Sequence, residues 1–108
     1  MPFPELDRHQ LKIKPLSARE DKVYIERDHV PPDAEPRPFD ERGQAVIAET
    51  VDRIKRARDA GRSRIIAFGA HSIKNGLAPV FIKLIEDGWA THLATNGAGI
   101  IHDWEFAY

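Results

Sequence analysis

Residues 89–108, WATHLATNGAGIIHDWEFAY, are the stretch that decides the fold of this chain. The start of the stretch, as far as Thr95, has the apolar character of a β-strand. A glycine-rich turn follows at residues 96–99, and a helix is predicted directly after it. A strand end, a glycine turn and a helix N-terminus are the parts from which α/β proteins build ligand sites. The stretch therefore predicts an α/β fold and one edge of a binding site.

The residues before this stretch supply a second strand and a connecting helix. Residues 64–68 form a short apolar run that ends at Gly69, which predicts a buried strand. A helix is predicted from about Asn75 or Gly76 to Gly88, because its apolar residues recur at the spacing of a helix that packs on a sheet. These apolar residues are Leu77, Val80, Phe81, Leu84 and Ile85. A strand, a helix and a strand with short loops form a right-handed βαβ unit, so the two strands are predicted to be parallel neighbours.

A longer helix is predicted ahead of the first strand, from about Glu41 to Ala60. Asp40 is a suitable N-cap, and Glu41 places a carboxylate where it favours the helix dipole. Gly61 follows the last turn and is a natural C-terminal stop.

Residues 1–39 differ in composition from the rest and are predicted to form a proline-rich, extended N-terminal arm. Seven of the eight prolines lie in the first 38 residues. The prolines of residues 30–39 exclude a helix there, because each lacks an amide donor and restricts the residue before it. Residues 22–26 alternate loosely in polarity. They are predicted either to form a short edge strand or to belong to an extended arm that lies on the domain or on a partner.

Residues 40–108 are predicted to form a partial Rossmann-like α/β domain, a parallel sheet flanked by helices. The predicted order is α-β-α-β-α after the arm. Parallel sheets are covered on both faces, and two parallel strands do not form a stable sheet alone. We therefore expect the chain to be the N-terminal part of a larger α/β domain.

Composition and charge exclude several classes of protein. The chain has 16 Lys and Arg residues against 17 Asp and Glu residues, a net charge of -1, which argues against non-specific binding of nucleic acid. It contains no cysteine, and therefore no disulfide or thiolate ligand. No apolar run approaches the roughly 20 residues of a membrane span. Residues 1–10 are charged and contain proline, unlike a signal peptide. A cytoplasmic protein is the prediction.

Polar side chains follow both predicted strands, in the segments 69–76 and 96–99. The carboxyl ends of neighbouring parallel strands meet at one edge of a sheet, so these segments are predicted to lie side by side. His71, Ser72 and Lys74 are then expected near Asn96, His102 and Asp103. Glycines permit close backbone approach, and helix N-termini favour anions, which makes a dinucleotide pyrophosphate the obvious ligand.

Other interpretations of these residues are open. The glycine turns are also what tight strand-to-helix connections require, and residues 97–99 give only G-x-G, with His102 at the third glycine position of the dinucleotide-binding fingerprint. A non-catalytic module that binds a nucleotide or another anion is one alternative. Ser72 is predicted to cap a helix. A metal-dependent hydrolase that uses His71, His102 and Asp103 is another alternative, although the spacing matches no metal-binding motif.

Residues 69–108 resemble the deoxyhypusine synthase family, and more closely its bacterial deoxyhypusine synthase-like branch. In that family the second strand ends in a turn of the Thr-Thr-Ala-Gly-Gly type, which residues 95–99, TNGAG, match in type. Residues 71–76, HSIKNG, occupy the place of the polar turn after the first strand. The resemblance covers about 40 residues, which are sequence positions 69–108.

The resemblance implies an NAD-dependent enzyme with a Rossmann-like fold, usually a homotetramer. Such enzymes oxidise spermidine and transfer its aminobutyl group through an imine on a lysine. By position, the residues expected to bind NAD are Ser72, Thr95, Asn96 and Gly97. No metal is implied.

The resemblance also locates the substrate side of the site. The paired glutamates that bind the polyamine in the family fall here on Ile101 and His102, and Asp103 retains an acid one residue later. His102 and Asp103 are therefore the expected contacts to an amine substrate. The catalytic lysine of the family lies beyond Tyr108, and neither Lys74 nor Lys83 matches it. This chain alone is expected to be inactive.

Overall fold

The computed structural model describes residues 3–108, so Met1 and Pro2 of the predicted arm lie outside the described residues. Within this range the chain forms a small α/β fold of five α-helices and a two-stranded parallel sheet. The helices are α1 (Ile25–Asp28), α2 (Glu41–Asp59), α3 (Ala70–Lys74), α4 (Ala78–Glu86) and α5 (Gly97–Ala107), and the strands are β1 (Ile65–Phe68) and β2 (His92–Thr95). Two 3₁₀ turns, Arg8–Gln10 and Leu16–Ala18, precede α1.

The sheet confirms the predicted parallel pair. Ile65 is in register with His92, and Phe68 with Thr95, so both strands end at the same edge. The prediction that residues 64–68 form a buried strand is wrong, because Ile65 is 63% exposed. A parallel strand is buried only where neighbouring strands and helices cover it on both faces, and β1 has a single strand neighbour among the described residues.

The helix ahead of β1 follows the prediction closely. α2 begins at Glu41 and ends at Asp59. The carboxylate of Asp40 accepts a hydrogen bond from the Gly43 amide at 2.7 Å, which satisfies one of the free donors of the first turn. Gly61 has a φ of 62°, the left-handed conformation that commonly ends a helix.

The region between the strands contains two helices where the sequence predicted a loop followed by one helix. α3 begins directly after Gly69, and α4 begins at Ala78. The break lies at Gly76, whose φ of 76° is incompatible with a continuing right-handed helix. Residues 69–76 are therefore mostly helical, which corrects the prediction of a loop.

The prediction of β2 from residue 89 is also corrected. The amides of Trp89 and Ala90 both donate to the carbonyl of Leu84, at 2.7 and 2.9 Å, so these residues form the turn that leaves α4. Pairing with β1 starts only at His92.

The arm runs across the α3–α5 side of the domain. Its edge-strand alternative is wrong, because residues 25–28 form the helical turn α1. The amide of Val30 donates to the carbonyl of Gly76 at 2.9 Å. The rings of His29 and Phe106 lie 5.1 Å apart, between centroids. These contacts attach the end of the arm to the loop after α3 and to the last turns of α5.

Little of the described chain is buried. Ile73 and Ala90, at 4% and 5% exposure, are the only buried apolar side chains within residues 3–108. Large apolar side chains of α5 and of the residue that follows it are exposed, and they are Ile100, Ile101, Trp104 and Tyr108. None of the helices in the described range has the combined length and apolar character that crossing a membrane requires.

Candidate functional site

The two strand-to-helix junctions lie side by side at the carboxyl edge of the sheet, as predicted. α3 starts two residues after the end of β1, and α5 starts two residues after the end of β2. A Cβ built on Gly69 would lie 3.8 Å from Nδ2 of Asn96. The helix starts that follow the two strands therefore converge on one region of the surface.

Asn96 organises the start of α5. Its Oδ1 accepts a hydrogen bond from the Gly99 amide at 3.0 Å, so Asn96 is the N-cap of the helix. The sequence predicted that residues 96–99 form a turn before the helix. They are instead the cap and the first turn of α5, because the Asn96 side chain lets the helix begin directly after the strand.

The two glycines of this turn have different surroundings. Gly99 is buried, and a Cβ there would collide with Oγ1 of Thr95. A Cβ built on Gly97 would meet no atom within 4 Å. Gly99 is therefore needed for close packing of the helix on the end of β2, whereas Gly97 faces open space.

The first amides of α5 are available to a ligand. The amides of Gly97 and Ala98 belong to the first turn, where no intrahelical acceptor exists. The Asn96 side chain is taken up by Gly99. Within residues 3–108 neither of these two amides has an acceptor. Free amides at a helix N-terminus, beside a glycine that leaves space, are suited to a phosphate group.

Ser72 does not cap a helix, which corrects one prediction. The N-cap position of α3 is Gly69, and no side chain caps this helix. Ser72 lies in the first turn, and its own amide donates to the Gly69 carbonyl at 3.2 Å. The helix starts earlier than the sequence suggested, so Ser72 is too far inside it to act as a cap. Ser72 as a whole is half-buried.

His102 lies further along α5 and is paired within the helix. Its Nδ1 is 2.7 Å from Oε2 of Glu105, one turn away. The His102 side chain is 30% exposed and the Glu105 side chain 44% exposed. His102 and Glu105 therefore share one face of α5 and are in direct contact.

A cavity of about 270 Å³ separates this face of α5 from the arm. It is lined by Arg19, Glu20, Asp21, Lys22, Val23, Lys74, His102, Glu105 and Phe106. Of the residues predicted to meet, the structure brings Lys74 and His102 to this cavity. His71 and Asp103 are exposed and do not line it.

The arm residues of this cavity were missed by sequence reasoning. Residues 19–23 are separated from α5 by about 80 positions, and no local pattern signals that they meet. The charged composition of the arm was the only available signal, and it is equally typical of a solvated segment.

The alternative that uses a metal has no supporting geometry. Within residues 3–108 no three His, Asp or Glu side chains are placed to hold a metal ion together. His71, His102 and Asp103 therefore do not form a ligand set in this conformation.

We compared the chain with protein-family models, with curated proteins and with solved structures, and none of the three comparisons found a match.

Proposed function

We propose that this chain is the N-terminal part of an NAD-dependent, deoxyhypusine synthase-like transferase with a Rossmann-like fold. Ser72, Thr95, Asn96 and Gly97 would bind NAD, and His102 and Asp103 would contact the amine substrate. The observation that supports this proposal is the pair of free amides at the start of α5, beside the open space at Gly97. NAD carries a pyrophosphate, and a helix N-terminus at the end of a parallel strand is its usual partner.

In the proposed enzyme each residue has a separate task. The amides of Gly97 and Ala98 bind phosphate, and Asn96 holds them in place by capping α5. Ser72, at the neighbouring junction, offers a hydroxyl to the same ligand. A bound NAD would supply the hydride acceptor needed to oxidise the carbon next to the substrate nitrogen. The proposal assigns no catalytic residue to residues 3–108, because neither Lys74 nor Lys83 matches the lysine of the family.

The open form of the fold supports a larger assembly. A sheet of two parallel strands needs further strands or layers to be stable. The exposed apolar side chains of α5 form a surface that such layers can cover. The proposal therefore includes a homo-oligomer in the cytoplasm, with an aminobutyl donor as substrate.

A titration with NAD tests the cofactor site directly. The amide signals of Gly97 and Ala98 are followed by NMR while NAD is added up to about 10 mM. This range covers weak binding with a millimolar dissociation constant, which corresponds to a free energy of binding of about -4 kcal/mol. We expect both signals to shift and to saturate. Absence of any shift at these two amides would contradict the proposal.

A matched pair of variants shows whether the effect is local. Gly97→Val covers the amides without a clash, because the site around Gly97 is open and its φ is not positive. We expect this variant to abolish binding. Ala48→Val places the same valine side chain on the exposed surface of α2 and serves as the control. Equal NAD affinity in both variants would place the ligand elsewhere.

A non-catalytic, anion-binding module is the second candidate, because the same free amides favour it. Competition separates the two candidates. An NAD-specific site binds NAD more tightly than inorganic pyrophosphate, whereas an anion module binds pyrophosphate at least as tightly. A metal-dependent hydrolase is not proposed, since His71, His102 and Asp103 do not come together as a ligand set.

A further inference from the structure

We propose that the cavity between the arm and α5 binds a small α-amino acid. Its carboxylate would lie against Lys22 and Lys74, and its ammonium group against Glu20 and Glu105. The binding claim is independent of the cofactor. It is also independent of the proposed function, because the amino acid is a second ligand and not the aminobutyl donor.

The cavity has walls from three separate elements. Lys74 comes from the end of α3, and His102 and Phe106 come from α5. Residues 19–23 of the arm form the remaining wall. Ligand sites in proteins commonly form where separate elements meet in this way.

The arm is held at Arg19, the first residue of this wall, and at Val30, seven residues beyond its end. Nη2 of Arg19 donates to the Glu105 carbonyl at 3.4 Å, and the Val30 amide donates to the Gly76 carbonyl at 2.9 Å. Between these points the guanidinium of Arg27 donates to the Lys22 carbonyl at 2.7 Å. The segment is therefore braced, and the cavity is part of the fold.

Internal pairing determines which charges remain for a ligand. Arg19 pairs with Asp21 at 2.7 Å, and His102 contacts Glu105 at 2.7 Å. Among the described residues, the lining lysines Lys22 and Lys74 have no ion-pair partner. Two ammonium groups without a carboxylate partner attract a small anion, and a carboxylate forms charge-assisted hydrogen bonds with them.

The lining also contains acidic groups that suit a cation. Glu20 lies on the arm wall and has no ion-pair partner within residues 3–108. Glu105 faces the same cavity from α5, and one of its oxygens contacts His102. A carboxylate has two oxygens and accepts several hydrogen bonds, so Glu105 retains capacity for an ammonium group.

A ligand that carries both charges fits this lining better than one that carries a single sign. A plain polyamine would bring its cations against Lys22 and Lys74, and a plain carboxylic acid would leave Glu20 without a partner. Val23 and Phe106 add an apolar surface for a short side chain. The volume of about 270 Å³ lies at the lower end of small-molecule sites, which selects a small ligand.

Three probes of similar size test the charge requirement on the full chain. They are 2-aminobutyrate, which carries both charges, butylamine, which lacks the carboxylate, and butyrate, which lacks the ammonium group. Binding is followed by NMR at the side-chain signals of His102 and Phe106. We expect 2-aminobutyrate to bind at least about tenfold more tightly than either analogue, a difference of about 1.4 kcal/mol. Equal or tighter binding of butylamine or butyrate would overturn the proposal, as would no binding of 2-aminobutyrate.

A pair of lysine variants tests the location. Lys74→Gln removes a charge from the cavity, and Lys83→Gln removes one from the surface of α4 outside the cavity. We expect about a tenfold loss of affinity for 2-aminobutyrate with Lys74→Gln and no change with Lys83→Gln. The same affinity in both variants would overturn the assignment. The NAD titration is read at the Gly97 amide, so failure of either proposal is visible separately.

Discussion

Gly76 shows how one residue joins the arm to the domain. Its φ of 76° ends α3, and its carbonyl accepts the hydrogen bond from Val30. A Cβ on Gly76 would collide with the carbonyl oxygen of Asp28. Gly61 also has a positive φ, of 62°, but a Cβ there would meet no atom within 4 Å. An alanine would therefore be strained by the positive φ at either position, and only at Gly76 would its Cβ also collide with the arm.

We predict that Gly76→Ala lowers the free energy of unfolding by about 3 kcal/mol, and Gly61→Ala by only about 1 kcal/mol. The smaller value is the cost of placing a Cβ in the left-handed region, and the larger value adds the collision with the arm backbone. Urea unfolding of both variants measures the difference. Equal losses would show that the arm does not press against Gly76 in solution.

At the scale of elements, α1 depends on a single carboxylate. Asp28 accepts a hydrogen bond from the Tyr24 amide at 2.8 Å, which caps the turn, and it pairs with Arg27 at 2.7 Å. The hydrogen bond from the Arg27 guanidinium lowers the pKa of Asp28, and the bond from the Tyr24 amide lowers it further. Both contacts favour the charged form.

The lowered pKa gives α1 a dependence on pH with a definite sign. A carboxyl group whose pKa is lower in the folded state stabilises that state above its unfolded pKa, which for aspartate is about 4. This contribution is lost as the pH falls through the folded pKa. We predict that α1 opens below about pH 4, which is seen as loss of exchange protection at the Tyr24 amide. Asp28→Asn should remove this dependence, and an unchanged acid transition in that variant would contradict the assignment to Asp28.

At the scale of the whole molecule, Arg64 connects the end of α2 with the turn between α4 and β2. Its half-buried guanidinium donates to the carbonyls of Trp89 at 2.9 Å, Gly88 at 3.2 Å and Ala57 at 3.4 Å, and also to that of Arg62. The planar guanidinium donates in several directions at once, which a lysine cannot reproduce. Arg64 thereby holds together elements that share few buried apolar contacts.

We predict that Arg64→Met lowers the free energy of unfolding by about 2–3 kcal/mol, because several carbonyls lose a charged donor. Arg64→Lys should recover less than half of this loss. Arg62→Met is the control, since the Arg62 side chain is exposed and makes no side-chain hydrogen bond among the described residues. Thermal unfolding compares the three variants, and a loss in Arg62→Met equal to that in Arg64→Met would contradict the prediction.

The overall dimensions agree with an open fold. The radius of gyration is 19.7 Å, whereas a compact domain of this length has about 13 Å. The exposed sheet and the exposed apolar side chains of α5 belong to the same open arrangement. This geometry is why the proposed function includes further strands or subunits.

The sequence by itself determined the local features of this protein. The capping role of Asp40 identified α2. The apolar runs and the helical periodicity between them identified the two strands and their parallel direction. The side-by-side position of the two strand-to-helix junctions followed from the topology of parallel strands. The NAD site and the family resemblance remain predictions from the same residues.

Only the tertiary structure decided where the arm lies and what it encloses. The contact from Arg19 to Glu105 joins residues 86 positions apart. The hydrogen bond from Val30 to Gly76 joins another pair of residues, which are 46 positions apart. No local pattern encodes such pairs, because their free energy arises only when both segments are already folded. The arm also occupies the space that a Cβ on Gly76 would need. The cavity at His102 is therefore a property of the fold.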